Sequence, residues 1–354
     1  MNLSKIFPIP KYLTLSAVGL DISDRSIRIL GFKDTRSGLE VTMYGQEYLD
    51  EGVLLQGKII NPDVLKKYLL KMKSQYNFKH VCVSLSEEQV YLFNLEIPKM
   101  EVSEIRTSIE LQLEDHILIS SAESYMDYNI IGQTSKTYLL QVAAIPMEIV
   151  NQYFSIFEAV GIVPISFELE SQAIARALVK RGDKTTYMIV DYGSSRTGIS
   201  FVQGGIVLYA TTVPLGGIDQ TNKIKEVMGI TYEEAEKMKK ANGLTVTNGG
   251  VYEIILPSVS ALRSEIYKHF IYWNTHKEGA GADHQPVSKI LLCGGTSNLP
   301  GLVDYLSTSM QMPVELANVW ANITNFSDYI PPISHDESLA YATVIGLATS
   351  HIYD

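Results

Sequence analysis

One pattern occurs twice in this chain and limits what the chain can become. Val18-Gly-Leu-Asp-Ile-Ser-Asp-Arg-Ser-Ile-Arg-Ile-Leu30 and Met188-Ile-Val-Asp-Tyr-Gly-Ser-Ser-Arg-Thr197 each run from apolar residues into an aspartate, cross a short polar turn and return to apolar residues. Asp21 and Asp191 hold the same place in the two copies. Each copy reads as a buried strand, a tight turn and a returning strand. A turn with small residues and hydroxyls brings backbone N–H groups close to an anion. An aspartate at its mouth cannot hold phosphate, but it can hold a hydrated metal that does. A single copy would be no more than a β-hairpin. Two copies far apart imply two similar lobes facing one cleft.

A third stretch, Ile290-Leu-Leu-Cys-Gly-Gly-Thr-Ser-Asn-Leu-Pro-Gly301, runs from an apolar strand into Gly294-Gly295, with a helix starting at Pro300-Gly301. A glycine pair has no side chains to block a flat ring or a ribose. Between the motifs the chain reads as mixed α/β. Residues 39–49 and 81–85 read as strands. Asn61-Pro62 opens a helix whose apolar face is Val64, Leu65, Tyr68, Leu69 and Met72. Residues 89–146 read as an inserted unit: a strand, an amphipathic helix on Val102, Ile105, Ile109 and Leu113, then a hairpin around Gly132. His116 reads as a surface or capping residue. A helix on Val150, Tyr153, Phe154 and Phe157 stops at Gly161, and a strand over 162–167 and a helix over 171–180 follow. Thr212-Val-Pro-Leu-Gly-Gly217 brings backbone to a phosphate or starts a helix. Thr231 and Glu234 form a capping box. Glu236 and Lys239, three apart on that helix, read as a solvated ion pair. Residues 254–256 lead to Pro257, and Val259, Leu262, Ile266, Phe270 and Trp273 mark a long core helix after it. Residues 1–15 read as a loose leader, 275–286 as a glycine-rich loop and 339–348 as a last helix.

Composition narrows the function. With 354 residues and 46% apolar content the chain can build two cores. A net charge of −10, from 29 Lys+Arg against 39 Asp+Glu, argues against nucleic acid as the partner. No apolar run approaches the roughly 20 residues of a membrane span, and Pro8 and Pro10 interrupt any signal-peptide core. Cys82 and Cys293 lie in apolar runs with no metal-site spacing, so they read as buried thiols in a cytoplasmic protein.

In the order and kind of these motifs the chain resembles the actin-like ATPase superfamily, a two-lobed α/β (ribonuclease H-like) fold. Within it the chain resembles the branch of the pilus protein PilM and the cell-division protein FtsA. The motifs that carry the resemblance are the two Asp turns, Pro214-Leu-Gly-Gly217, the diglycine stretch, Phe167-Glu-Leu-Glu-Ser-Gln-Ala-Ile-Ala-Arg-Ala177, Glu104-Ile-Arg106 and Glu234-Ala-Glu236. The place of the inserted strand–helix–strand–strand subdomain is the branch's own. The lobes are expected at 16–184, holding the insert at 89–146, and at 185–334, holding a small subdomain at 218–256. Residues 335–354 would be a helix returning to the first lobe.

The resemblance implies ATP and Mg2+ as ligands. Asp21 and Asp191 would face the phosphates and hold the metal through water. Ser23, Asp24, Ser26 and Arg28 in the first turn, and Gly193, Ser194, Ser195 and Thr197 in the second, would line the phosphates. Gly216 and Gly217 would close the phosphate floor. Glu236 and Lys239 would touch the adenosine, against the bland reading above, and Gly294, Gly295 and Thr296 would hold base and ribose. Ser23 stands where the family usually has Gly and Arg28 where it often has Lys. A side chain at 23 narrows the turn if φ must be positive, and Arg keeps the charge but not the geometry.

The resemblance also implies a partner: the N-terminal cytoplasmic peptide of a PilN-like single-span inner-membrane protein, held in a groove beside the insert. The pilus motor ATPase and self-association are further partners it implies. The chain would then be a cytoplasmic scaffold at the inner face of the membrane, with the anchor supplied by the partner. No residue is marked as a water-activating base, so the expectation is ATP binding with weak or no turnover. An FtsA-like filament protein would end in an amphipathic membrane helix, whereas this chain ends soon after its last core helix. A small-molecule kinase needs a base; Glu168 and Glu170 are the nearby carboxylates, but no substrate pocket is legible. A chaperone-like ATPase would need a peptide-binding domain that the sequence lacks. A type II secretion or competence-system homologue would use the same module.

Overall fold

The computed structural model describes residues 17–35, 38–245, 250–275, 285–323 and 329–353. The leader and most of the glycine-rich loop read above lie outside them. The chain begins with a three-stranded meander, β1 (Val18–Ser23), β2 (Ser26–Thr35) and β3 (Gly38–Tyr48), followed by a small hairpin, β4 (Leu54–Leu55) and β5 (Lys58–Ile59). Helix α1 (Pro62–Tyr76) starts as its sequence indicates: the Asn61 side chain accepts from the Val64 N–H and Pro62 sits at the first turn. Strand β6 (His80–Leu85) pairs parallel with β1.

The inserted unit comes next. It is β7 (Tyr91–Pro98), α2 (Val102–His116), β8 (Ser124–Gln133) and β9 (Thr137–Pro146). Its strands form their own sheet in the order β7-β9-β8, and Ile105, Ile109 and Leu113 of α2 close a small separate core over Ile97, Leu140 and Val142. His116 ends α2 and stacks on Phe93 at 4.7 Å between ring centroids. The chain then returns through α3 (Met147–Val160), β10 (Val163–Leu169) and α4 (Glu170–Leu178).

The second half repeats the first. It has a meander of β11 (Thr186–Tyr192), β12 (Thr197–Gln203) and β13 (Ile206–Val213), then helices α5 (Gly217–Met228), α6 (Tyr232–Asn242) and α7 (Val251–Thr275). After them come β14 (Lys289–Cys293), α8 (Leu302–Met310), β15 (Val314–Leu316), α9 (His335–Ser338) and α10 (Ala342–Tyr353). The two main sheets have the orders β3-β2-β1-β6-β10 and β13-β12-β11-β14-β15, three antiparallel strands followed by two parallel ones in each. In both, the strand ending in the motif aspartate is central.

Periodicity missed three features. Helix α7 runs straight through Pro257, so it begins before that residue and not after it. Proline removes one ladder bond, and burial of Val251, Ile255, Val259, Leu262 and Ile266 along one face outweighs that loss. The two-residue strands β4 and β5 and the three-residue β15 are too short to show alternation.

One core joins the halves. Leu30 from the first sheet, Ile189 and Val202 from the second, Ile174 and Leu178 of α4, and Val344 and Ile345 of α10 all belong to it. The close crossing of α10 on α4 and β1 requires glycine. A Cβ on Gly346 would run into the Ala173 carbonyl, and one on Gly19 into the Val344 carbonyl. Gly295, by contrast, has only Ala340 Cβ at 3.5 Å in the way. Gly346→Ala should therefore cost roughly 2–3 kcal/mol, and Gly295→Ala less than about 1 kcal/mol, by urea denaturation. Equal losses would remove the close approach as the reason for glycine at 346.

Candidate functional site

The site is built where β1 and β11 reach their turns. Asp21 is cross-strand neighbour to Arg28 on β2, so both side chains stand on one face, with Arg28 Nη1 3.8 Å from Asp21 Oδ2. Ser84 of β6 donates to Asp21 Oδ1 at 2.7 Å. Asp191 lies opposite Gly198 on β12 and beside Cys293 on β14. Asp21 and Asp191 are close enough for their charges to act on each other. Burial first, then the Asp21 charge, push the Asp191 carboxyl up to about 6, while Arg28 and Arg196 pull the other way. Burial and Asp191 raise the buried Cys293 thiol well above its usual range, so it is held protonated.

The first turn is closed by its own side chains. Ser23 Oγ donates to the Ser26 carbonyl at 3.1 Å and lies 3.2 Å from Ser26 Oγ. Asp24 accepts the Gln56 and Gly57 N–H groups at 3.1 and 3.0 Å, which fastens the β4–β5 hairpin. Two expected roles change here. Ser26 is buried and holds the hairpin, and Asp24 is a carboxylate committed to backbone N–H groups, not a phosphate donor. Serine at 23 costs no backbone strain: the described non-glycine residues with positive φ are Gln56, Asn77 and Gln311.

The second turn is clamped onto α5. Gly217 N–H donates to the Gly193 carbonyl at 3.1 Å and Ile218 N–H to the Ser194 carbonyl at 2.8 Å. Thr296 Oγ1 donates to the same Gly193 carbonyl at 2.8 Å. Gly216 and Gly217 are buried, and a Cβ on either would strike Ser194 or Thr296. Thr197, expected to line phosphates, is fully buried with its hydroxyl on the Leu215 carbonyl at 2.6 Å; it is a staple of the turn. Ser194 and Ser195 remain at the rim.

Lys239 departs from the exposed ion pair its helix suggests. It is 5% exposed and donates to the Gly217 carbonyl at 2.9 Å and Thr221 Oγ1 at 2.7 Å, beside Glu236 Oε2 at 2.8 Å. Its three N–H donors are thus engaged inside the fold, and Thr221 also donates to Glu236 at 2.6 Å. Gly294 is buried at φ +85°, against Asp191 and Tyr192, and Gly295 is exposed.

Sequence reasoning overlooked the most connected residue. Arg196 Nη2 lies 2.7 Å from Glu170 Oε1, and Nη1 lies 2.8 Å from Glu88 Oε2 and 3.8 Å from Asp24 Oδ1. Glu87 accepts the Ser171 N–H at 2.6 Å at the start of α4. Burial works against the Arg196 charge, but Glu170, Asp24, Glu88 and Glu87 outweigh it and hold the guanidinium protonated. One arginine cannot neutralise them all, and burial raises Glu170 well above the usual carboxylate range, with Arg196 opposing. A charged residue in a turn is normally solvated, so nothing local in the sequence marks Arg196.

The donor set fits a nucleotide with a cation. Asp21 and Asp191 interact with each other and with Arg28 and Arg196, the buried Arg28 Nε has no hydrogen-bond partner, and Gly295 is exposed. Among the described residues no three His, Cys, Asp or Glu side chains converge as direct metal ligands.

The family model for the type IV pilus assembly protein PilM matches residues 19–351. The chain belongs to the PilM family. Among solved structures, the PilM–PilN type IV pilus biogenesis complex is similar with a TM-score of 0.80 at 20% identity, over 96% of this chain and 99% of that one. The ethanolamine utilization protein EutJ from Carboxydothermus hydrogenoformans follows at 0.57 and 14% identity, over 96% and 90%. MreB5 of Spiroplasma citri bound to ADP is at 0.56 and 12% identity, over 93% and 95%. The fold of this PilM-family chain is thus the two-lobed actin-like one.

Asp191 yields a pH prediction. Between about pH 4 and 6 the folded chain keeps a proton on Asp191 that the unfolded chain has released, so stability falls as pH rises through that window. Asp191→Asn should be more stable than the parent above pH 6, by up to about 3 kcal/mol, with the gain fading towards pH 4. Denaturation midpoints across pH 4–8 check this, and a pH-independent difference would contradict it.

Proposed function

We propose that this PilM-family chain is an ATP-binding scaffold of type IV pilus assembly that holds the N-terminal tail of a PilN-like single-span membrane protein. The observation that carries the nucleotide half is the meeting of Asp21 and Asp191, from matched strands of two sheets, in one cleft with Arg28. The MreB5 relative binds ADP in the same fold. Asp21 and Asp191 would hold a hydrated Mg2+, whose charge would offset the phosphates. Arg28, Ser194 and Ser195 would face the phosphates. Gly294, Gly295 and Thr296 would line base and ribose, with Glu236 and Lys239 bracing the floor beneath through Gly217 and Thr221. Asp191→Ala should weaken Mg-ATP binding at least tenfold by isothermal titration; unchanged affinity would remove the assignment.

The partner half rests on a groove of about 390 Å3 where the inserted unit leaves and rejoins the first lobe. Ile59, Ile60, Val90, Tyr91 and Ile149 give it apolar ground, and Glu88, Glu148 and Lys58 give it charge. The relative of known structure carries PilN in its complex. No helix among the described residues is long and apolar enough to cross a membrane, and in this reading the partner supplies the anchor at the cytoplasmic face. Ile60 is 56% exposed in the groove. Ile60→Glu should weaken a dodecamer from the PilN-like N terminus about tenfold or more; a dodecamer that binds neither form of the protein would end the scaffold reading.

A further inference from the structure

Arg196 lies between the two proposed sites and reaches the groove through Glu88. Its guanidinium is 12% exposed and bridges the second Asp turn to Glu170 at the start of α4, to Asp24 in the first turn and to Glu88 just before β7. Glu88 also lines the groove beside the insert. A buried ion pair contributes little net stability compared with apolar packing, so stability alone does not account for an arginine here. Its guanidinium lies 3.8 Å from Asp24 of the first turn and its charge acts on Asp191, so a planar, bidentate donor stands within reach of a phosphate held between the two turns. Phosphate and Glu88 therefore compete for one guanidinium.

We propose that Arg196 is a phosphate-binding residue shared with Glu88, and that Glu88, once released, receives a lysine or arginine of the segment in the groove. This rests on the ATP and peptide assignments above. The groove has Glu88 and Glu148 against Lys58, so a basic segment is complementary to it. A carboxylate left half-buried without its arginine is unfavourable, and a cationic side chain from the segment removes that cost. ATP thereby tightens the segment, and the segment must tighten ATP by the same factor.

The test is isothermal titration of the full chain with Mg-ATP, and with the PilN-like N-terminal dodecamer in the presence and absence of saturating Mg-ATP. A second dodecamer has its lysines and arginines replaced by glutamine. In the parent protein Mg-ATP should tighten the native dodecamer about 5- to 20-fold and leave the glutamine version within twofold. Glu88→Gln should tighten Mg-ATP two- to fivefold by removing the competitor, and should abolish the coupling. Arg196→Gln should weaken Mg-ATP at least tenfold, and Arg196→Lys should recover part of that loss. A merely structural ion pair would leave the native dodecamer no tighter with Mg-ATP than without it. Should Arg196→Gln not fold, Glu88→Gln decides alone through the coupling: removal of a carboxylate near the phosphates raises ATP affinity in any arrangement, whereas loss of the ATP-dependent tightening of the native dodecamer is specific to the exchange. If ATP and dodecamer both bind but independently, or if Glu88→Gln keeps the coupling or loses ATP affinity, the exchange is overturned while the scaffold reading stands. If neither ligand binds, the scaffold reading falls first.

Discussion

Two carboxylates of like charge, Asp21 and Asp191, are brought together in a poorly solvated cleft, and the rest of the site is arranged around that repulsion. Neither can leave: each lies near the end of a central strand that is mostly buried. The cost appears in the raised proton affinity of Asp191. It is moderated by Arg28 beside Asp21 and by Arg196, which the opposing acids hold in place. A cleft with this excess of carboxylates attracts a cation, and a cation brought with phosphate would relieve it.

The inserted unit has its own sheet and core but is not isolated. Its strand β9 sends the buried Gln141 side chain to the Val207 carbonyl of β13, and its first strand follows directly on Glu87 and Glu88, both in the acidic ring. The unit therefore contacts the second lobe through this bond and through Leu92, which packs against the core that holds Ile189, Val202 and Val207. The Arg196–Glu88 pair thus sits at the base of the unit, directly before its first strand.

Much of the fold was legible in the sequence. The repeated Asp turns, the Asn61-Pro62 start of α1, the Thr231–Glu234 capping box of α6 and the apolar face of α2 all read correctly, because each depends on residues within a few positions of one another. The course of α7 through Pro257 did not, since the burial that offsets the proline comes from other elements. The site was legible in its aspartates and glycines and poorly legible in its charges. Lys239, read from its helix as half of an exposed pair and from the resemblance as an adenosine contact, is a buried brace. Thr197 and Ser26, expected to face ligand, are staples of their own turns. Arg196, overlooked, joins three elements.

By itself the sequence determined the two matched strand–turn–strand units, the diglycine bend and the inserted module, since hydrophobic period and turn chemistry are local properties. Only the tertiary structure decided which polar atoms face the cleft and which are consumed inside the fold. That choice depends on the distance between groups far apart in the chain, and on how much water lies between them, neither of which a local pattern encodes.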